Sequence, residues 1–313
     1  PYDVVPLAET IPVNIFISTF DTAPLALDNN LVIKGNEIPF QKGLTVLSRL
    51  TSGKIHLGLD ARSSEPASGF SKAIGVEKHW FSGPHPAGNV GIQIHHIAPI
   101  KGQDKVWTLG VQEVITIGNM FISGEYHAER VVALTGAELK SPKIVKTYQG
   151  ASMNDLLNGN LVGDNLRVVS GDVLSGKQVA QDGFLSFKDD QVTVLKEGND
   201  HELFGWLLPI TPRPSVSGTI PSYGTDHAFE ANTNAHGEKR AFVVSGEYES
   251  VLPMDIYPQH LMKAIMSNNI EKMEGLGLME LTEEDIALCE FVCTSKNDLQ
   301  RVLRQGLETL KES

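Results

Sequence analysis

The sequence holds only two cysteines, Cys289 and Cys293, in 313 residues. So few thiols exclude a disulfide framework and fit a reducing compartment. They also fall short of the four thiolates that an iron–sulfur cluster takes. No run approaches the roughly 18 consecutive apolar residues of a membrane-spanning helix. No basic stretch followed by an apolar one reads as a signal peptide. Phosphate-binding motifs are missing too: no Gly-Lys-Ser/Thr follows a glycine run, and Gly275-Leu276-Gly277 follows no strand. Without a GxSxG elbow or an HExxH pair, neither serine hydrolysis nor zincin chemistry has support. Positive charge is scarce. Lys and Arg number 26 against 38 Asp and Glu, a net charge of −12, which argues against general binding to nucleic acid or anionic lipid. The chain starts abruptly at Pro1-Tyr2-Asp3-Val4, and it reads as a fragment or processed form whose N-terminal part is missing.

What is present is ordinary globular material, 41% hydrophobic and 20% charged, enough for two or three domains. Residues 13–18 (VNIFIS) are apolar at nearly every position and read as a central strand covered on both faces. They run into the turn Thr19-Phe20-Asp21-Thr22-Ala23-Pro24. In an α/β sheet such a turn either caps the next segment or lies where ligands bind. Leu44, Leu47 and Leu50 mark a helix ended by Gly53; Ile55, Leu57 and Leu59 then alternate with Lys54, His56 and Gly58 as a strand. A Gly/Pro loop, residues 82–88 (SGPHPAG), presents His85 and leads into an alternating apolar run, where adjacent His95 and His96 would point to opposite faces of a strand. Val111, Val114, Ile115, Gly118 and Phe121 or Ile122 form one helix face, and residues 131–134 read as a buried strand of the same α/β sheet.

Past Gly136 the pattern changes to short strands. We expect strands at residues 143–148 and 166–169, a short helix at 153–157, and a hairpin of 184–187 with 192–195. Residues 203–208 continue the apolar β character, and the polar stretch 211–240 reads as a long mobile loop. From Pro258 the chain is helical, with capping signals at Thr282–Asp285 and Ser295–Asp298 and an apolar stripe through Leu299, Val302, Leu303, Leu307 and Leu310. Cys289 and Cys293 share a helical face and read first as two buried thiols. The histidines His79, His85, His95, His96 and His127 lack ligand spacing, so no metal site is expected.

Several phrases together carry a resemblance. They are Asp21-Thr22-Ala23-Pro24-Leu25-Ala26, Gly83-Pro84-His85-Pro86-Ala87-Gly88, Gln112-Glu113-Val114-Ile115, Gly124-Glu125, Arg130-Val131-Val132-Ala133-Leu134, Glu202-Leu203-Phe204-Gly205-Trp206, Met254-Asp255, and the segment from Leu281 to Cys293. Over essentially its whole length the chain resembles the A-type subunit of the bacterial sodium-translocating NADH:quinone oxidoreductase. The resemblance implies kinship with the NADH-binding flavoprotein subunit of respiratory complex I. It therefore implies an α/β plus α+β chain of three parts: a Rossmann-like α/β domain (1–136), a β-grasp domain of the soluble-ligand-binding type (137–250, with the loop 211–240), and a C-terminal helical domain (251–313). It implies a peripheral subunit on the cytoplasmic side of the bacterial inner membrane, held by membrane-embedded partners that include a quinone-site subunit. NADH, flavins and Fe–S clusters are expected on other subunits; the relative's glycine loop is missing here, and Cys289 and Cys293 remain as degenerate cluster cysteines. Two readings stay open. One is a part in quinone reduction, with Phe20, Asp21, Thr22, Phe81 and His85 contacting a quinone or a partner; the other is a cofactor-free docking scaffold.

Overall fold

A computed structural model of the chain describes residues 1–2, 4–62, 68–102, 104–199, 203–205 and 230–312. The first part runs β1 (Asn14–Ser18), α1 (Asn29–Ile33), α2 (Glu37–Leu47), β2 (Ile55–Asp60), α3 (Ser68–Ser71), β3 (Glu77–Phe81), α4 (Val90–Ile97), β4 (Val106–Leu109) and α5 (Val111–Ser123). Its four strands are all parallel, in the order β3-β2-β1-β4. Ile15, Ile17, Ile55 and Leu57 form one face and pack on Phe40, Leu44, Val114 and Ile115 of α2 and α5. The two helices nearly touch. A Cβ on Gly43 would lie 2.1 Å from the Val114 carbonyl oxygen, and one on Gly118 would lie 1.8 Å from that of Pro39. Because Pro39 stands in the first turn of α2, the last turn of α5 extends past its partner. The apolar spacing predicts that Phe121 or Ile122 continues the buried face, and both are exposed, at 55% and 54%.

The opposite face of this sheet carries Phe16, His56 and Gly58. All three are buried rather than polar and solvated, because α4 lies over them and Gln93 fills the space a Gly58 side chain would take. The sequence reading of residues 90–97 as an extended run is therefore corrected. β3 and β4 are parallel strands on opposite sides of β1 and β2, and such a crossover takes a helix. β3 and β4 themselves went unread; both are short, and β3 alternates half-buried with exposed side chains, as an edge strand does.

The second sheet contains β5 (Glu129–Thr135), β6 (Lys143–Tyr148), β7 (Leu166–Ser170), β8 (Lys177–Val179) and β9 (Gln191–Lys196), with α6 (Met153–Leu157) beside it. Its order is β6-β5-β9-β7-β8, mixed, with β5 and β9 parallel. Residues 131–134 therefore belong to this sheet, which corrects the expectation that they join the first. Apolar alternation gives strand type but not strand partners. The expected hairpin of 184–187 with 192–195 is not formed. Phe184 and Phe187 are exposed, Phe184 makes one bridge to Ser152, and β9 pairs with β7 and β5 instead. Of residues 203–208, 203–205 form a turn with Leu203 85% exposed, and the others lie outside the described residues, as do 211–229 of the long stretch.

The last part is α7 (Pro258–Met266), α8 (Ile270–Gly275), a 3₁₀ turn (Leu278–Glu280), α9 (Ala287–Val292) and α10 (Leu299–Glu312). Pro258 opens α7 at the position where its missing N–H costs nothing. The Thr282 backbone N–H and hydroxyl both donate to Asp285 Oδ2, at 3.0 and 2.7 Å, so the residues expected to cap a helix close a turn of their own, and α9 starts after Ile286 without a side-chain cap. Leu299, Leu303 and Leu307 bury one side of α10 against α7, where Gly306 admits Ile265. Ile92 of α4 joins this core, so α4 is clamped between the first sheet and the helices.

Candidate functional site

Ligands of open α/β sheets bind beyond the carboxyl ends of the strands, and two of the predicted segments meet there. The turn after β1 and the 82–88 loop after β3 are joined through Thr22, whose hydroxyl lies 3.1 Å from His85 Nδ1 and accepts the Gly88 N–H at 2.9 Å. Gly88 has no alternative: a Cβ there would sit 2.7 Å from the Thr22 nitrogen. Behind them, the Ser18 hydroxyl lies 2.9 Å from the Gly88 carbonyl oxygen and 2.8 Å from that of Phe20. Gln93 of α4 donates to Ser18 Oγ at 2.9 Å. The loop is therefore fastened from β1, from the turn after it and from α4 at once. Burial holds His85 below the ordinary imidazole pKa, against the pull of Asp21 and of Asp172. Asp172 lies in the β7–β8 turn, where it accepts the Leu174 and Ser175 N–H groups. The second sheet thus reaches the same lip.

The other predicted residues are placed differently. Asp21 is exposed and accepts the Ala23 N–H at 2.7 Å, so this carboxylate closes its own turn. Phe20 is 8% exposed, with the Arg62 guanidinium 5.4 Å from its ring centre. Arg62 is itself held by both oxygens of Asp60. Phe81, half-buried, ends β3 and its carbonyl accepts the Ala61 N–H.

The strand order reverses between β1 and β4, and the crevice at that switch point is filled by the chain itself. Arg130 of β5 is 3% exposed and pairs with Glu113 in the first turn of α5. It also donates to the Lys188 and Asp189 carbonyls, the latter at 3.1 Å. Glu113 folds back over Gly110, where a Cβ would lie 2.3 Å from its Oε2. Next to Arg130, burial pushes Asp190 up to about 7; Arg130 opposes the shift, while Asp21, Glu113 and Asp189 add to it. Gln191 then donates to the Pro24 carbonyl at 3.1 Å, and to Thr135 and Thr193 of the second sheet at 3.2 and 3.1 Å. Sequence reading missed this cluster because Glu113, Arg130 and Asp190 lie on a helix, a strand and a loop far apart in sequence; the signal was a buried-strand pattern opened by an arginine.

Cys289 and Cys293 are both 1% exposed free thiols around α9. Cys293 accepts the Tyr248 hydroxyl at 2.9 Å. Burial, then Glu249, push Cys289 up to about 12. Of the five histidines read from sequence, His95 bonds Glu280 and the Asp255 N–H, and His96 lies 2.8 Å from the Pro253 carbonyl, so both tie α4 to the helices. His79 instead lies 2.9 Å from His56, which was not singled out. Burial and then His79 lower the His56 pKa, against Glu77. Two surface cavities, about 320 Å³ at the amino ends of β2 and β3 and about 360 Å³ beside α6, include none of the predicted site residues.

Comparison with known proteins follows the same division. Residues 1–126 match the family model described as the NqrA second alpha/beta domain, and residues 131–181 match that of the NQRA C-terminal domain, of SLBB type. The chain is 38% identical over 314 residues to the NqrA subunit of the Na(+)-translocating NADH-quinone reductase of Psychromonas ingrahamii. It is 39% identical over 315 residues to those of Neisseria meningitidis serogroup B and Actinobacillus pleuropneumoniae serotype 5b. In each case all of this chain and 70% of the relative are covered. Two solved structures of an NAD+-reducing NiFe-hydrogenase align at TM-scores of 0.42 and 0.43 with 12% and 11% identity. They cover 58% and 96% of this chain, and 40% and 55% of theirs, a likeness too weak to argue from.

Proposed function

Because this chain belongs to the NqrA family of Na(+)-translocating NADH-quinone reductase subunits, we propose that it acts in such a complex as a peripheral, cytoplasmic-face subunit. There it contributes to the reduction of quinone by NADH coupled to Na+ export, without carrying a nucleotide or flavin of its own. One observation carries this reading: the switch-point crevice is occupied by the Glu113–Arg130 pair and by Asp190, with Asp21 and Asp189 acting on it. A nucleotide's phosphates favour a free helix N-terminus and positive charge. Here the N-terminus of α5 faces the carboxylate of its own Glu113, and a phosphate would meet more carboxylates behind it. A flavin or dinucleotide does not fit, so electrons come from cofactors on other subunits.

The division into units is part of the proposal. Three hydrophobic clusters support a Rossmann-like unit, a β-grasp unit and a helical unit, with Ile92 of α4 and Ala133 of β5 each packing across a boundary. We place the first boundary ahead of β5, because among the described residues β5 pairs with β6 and β9 and with no strand of the first sheet. The chain's own contribution is docking: Pro24, Leu25 and Pro84 are exposed apolar groups on the lip, with Leu25 65% exposed, and a neighbouring subunit covers them.

A second reading has its own support in the Thr22–His85 pair. If the Thr22 hydroxyl donates its hydrogen bond to His85 Nδ1, the neutral imidazole carries its proton on Nε2, from where it donates to a quinone carbonyl. One experiment separates the two. His85→Ala is introduced into the complex, and assembly is measured beside the KM for quinone. Impaired assembly with unchanged KM supports docking; a raised KM in a fully assembled complex supports the quinone contact. Normal values of both remove this lip from either role.

A further inference from the structure

β2 and β3 bring together three metal-ligand side chains that lie far apart in sequence. The parallel register sets His56 beside Glu77 and Gly58 beside His79. Glu77 and His79, two apart on one strand, share a face, and His56 lies across from them. His56 Nδ1 is 2.9 Å from His79 Nε2 and 3.6 Å from Glu77 Oε2, and the three donor atoms all lie within 4.8 Å of one another. This group lies at the amino end of β2 and β3, the opposite end of the strands from the lip.

We propose that His56, Glu77 and His79 form a binding site for one divalent first-row transition metal ion. Metal–ligand bonds to such donors are roughly 2.0–2.1 Å. With both nitrogens at that distance from one ion, the 2.9 Å separation subtends about 90°. The 3.6 Å separation of nitrogen and oxygen subtends about 120° on the same basis. Both angles lie within the range of four- to six-coordinate sites, and the half-exposed Glu77 and His79 side chains close on the ion from within the 4.8 Å that spans the group. Two imidazoles and one carboxylate select zinc, iron, nickel or copper over the oxygen-seeking magnesium and calcium.

The surroundings are built for the same task. His56 is 5% exposed and its ring stacks on Phe16 with 4.8 Å between centroids, which fixes the ring plane. Lys54 takes the other carboxylate oxygen, Oε1 of Glu77, and leaves Oε2 turned toward His56. A partner that orients a ligand from behind is a regular feature of metal sites. β3 is an edge strand with Glu77 and His79 half-buried, so an ion has a way in. Three protein donors leave a coordination position for water or an added ligand.

The test uses the full chain, stripped with chelator and titrated with Co2+ followed by its visible absorption, then with Zn2+ in competition. One Co2+ per chain, displaced by Zn2+, is expected at micromolar concentrations. Glu77→Gln and His79→Ala, both at half-exposed edge positions, should each weaken binding by about 10-fold or more, with circular dichroism unchanged. Lys54→Ala should leave binding intact or tighten it, because a positive charge is removed. No Co2+ binding by the wild-type chain up to about 100-fold above micromolar would overturn the proposal. So would binding that survives in both ligand variants, which would place the ion on other histidines.

Discussion

Arg130 is the most consequential single side chain, and Arg130→Met measures what it does. Methionine keeps much of the volume and the apolar stem but removes the charge and the donors. Three partners lose their bond: Glu113, the Lys188 carbonyl and the Asp189 carbonyl. Breaking a fully buried pair from one side costs about 3–5 kcal/mol; Glu113 keeps 20% of its side chain exposed, so about 2–3 kcal/mol is expected here. The loss should depend on pH, through Asp190. Its carboxyl is raised from 3.8 to about 7 in the folded chain. The folded state therefore binds a proton that the unfolded state has released, and stability falls as pH rises from about 4 through 7, by roughly 4 kcal/mol in all. Arg130 opposes that rise, so removing it pushes the carboxyl higher still. The variant should lose about 1 kcal/mol more at pH 8 than at pH 5.5. Chemical denaturation of both proteins at both pH values reads this directly, since groups unaffected by the substitution cancel. An equal loss at the two pH values, or a loss under about 1 kcal/mol, would refute the coupling of Arg130 to a buried acidic cluster.

Three further outcomes are expected. Asp190→Asn should stabilise the chain at pH 8, where the native carboxylate is charged, by about 1–3 kcal/mol, and the gain should vanish near pH 4; denaturation midpoints at the two pH values check it. Gly118→Ala should destabilise by about 1–3 kcal/mol or more, because the new methyl meets the Pro39 carbonyl oxygen at 1.8 Å, and a thermal melt no lower than wild type would remove the close helix contact. Cys289 and Cys293 should resist iodoacetamide at pH 8 in the native chain and both react once it is denatured, because both are buried and the Cys289 thiol titrates near 12; rapid native labelling, counted by mass spectrometry, would contradict the burial.

Legibility followed locality. The strand at 14–18 and the helices at 111–123, 153–157 and 258–266 announce themselves in side-chain periodicity and in turn residues. Pairing partners are set by contacts far apart in sequence, so residues 131–134 read correctly as a strand and wrongly as part of the first sheet. Residues 90–97 alternate like a strand yet form a helix, because the crossover from β3 to β4 overrides a short ambiguous pattern. The same limit governs the candidate site. Thr22 and His85 could be named from their turns, and they meet at 3.1 Å. Phe20 could not be seen to lie beneath Arg62, nor Asp21 to spend a carboxylate oxygen on Ala23. His56 stayed unnoticed because only strand register places it beside Glu77 and His79.

With the Glu113–Arg130 pair closing the switch-point crevice, as proposed above, the chain should take up no nucleotide. Isothermal titration of the purified chain with flavin mononucleotide and with NADH tests it most directly. Neither should bind saturably below about 1 mM, a free energy weaker than about 4 kcal/mol. Stoichiometric binding at micromolar concentration, lost on Arg130→Met, would contradict it.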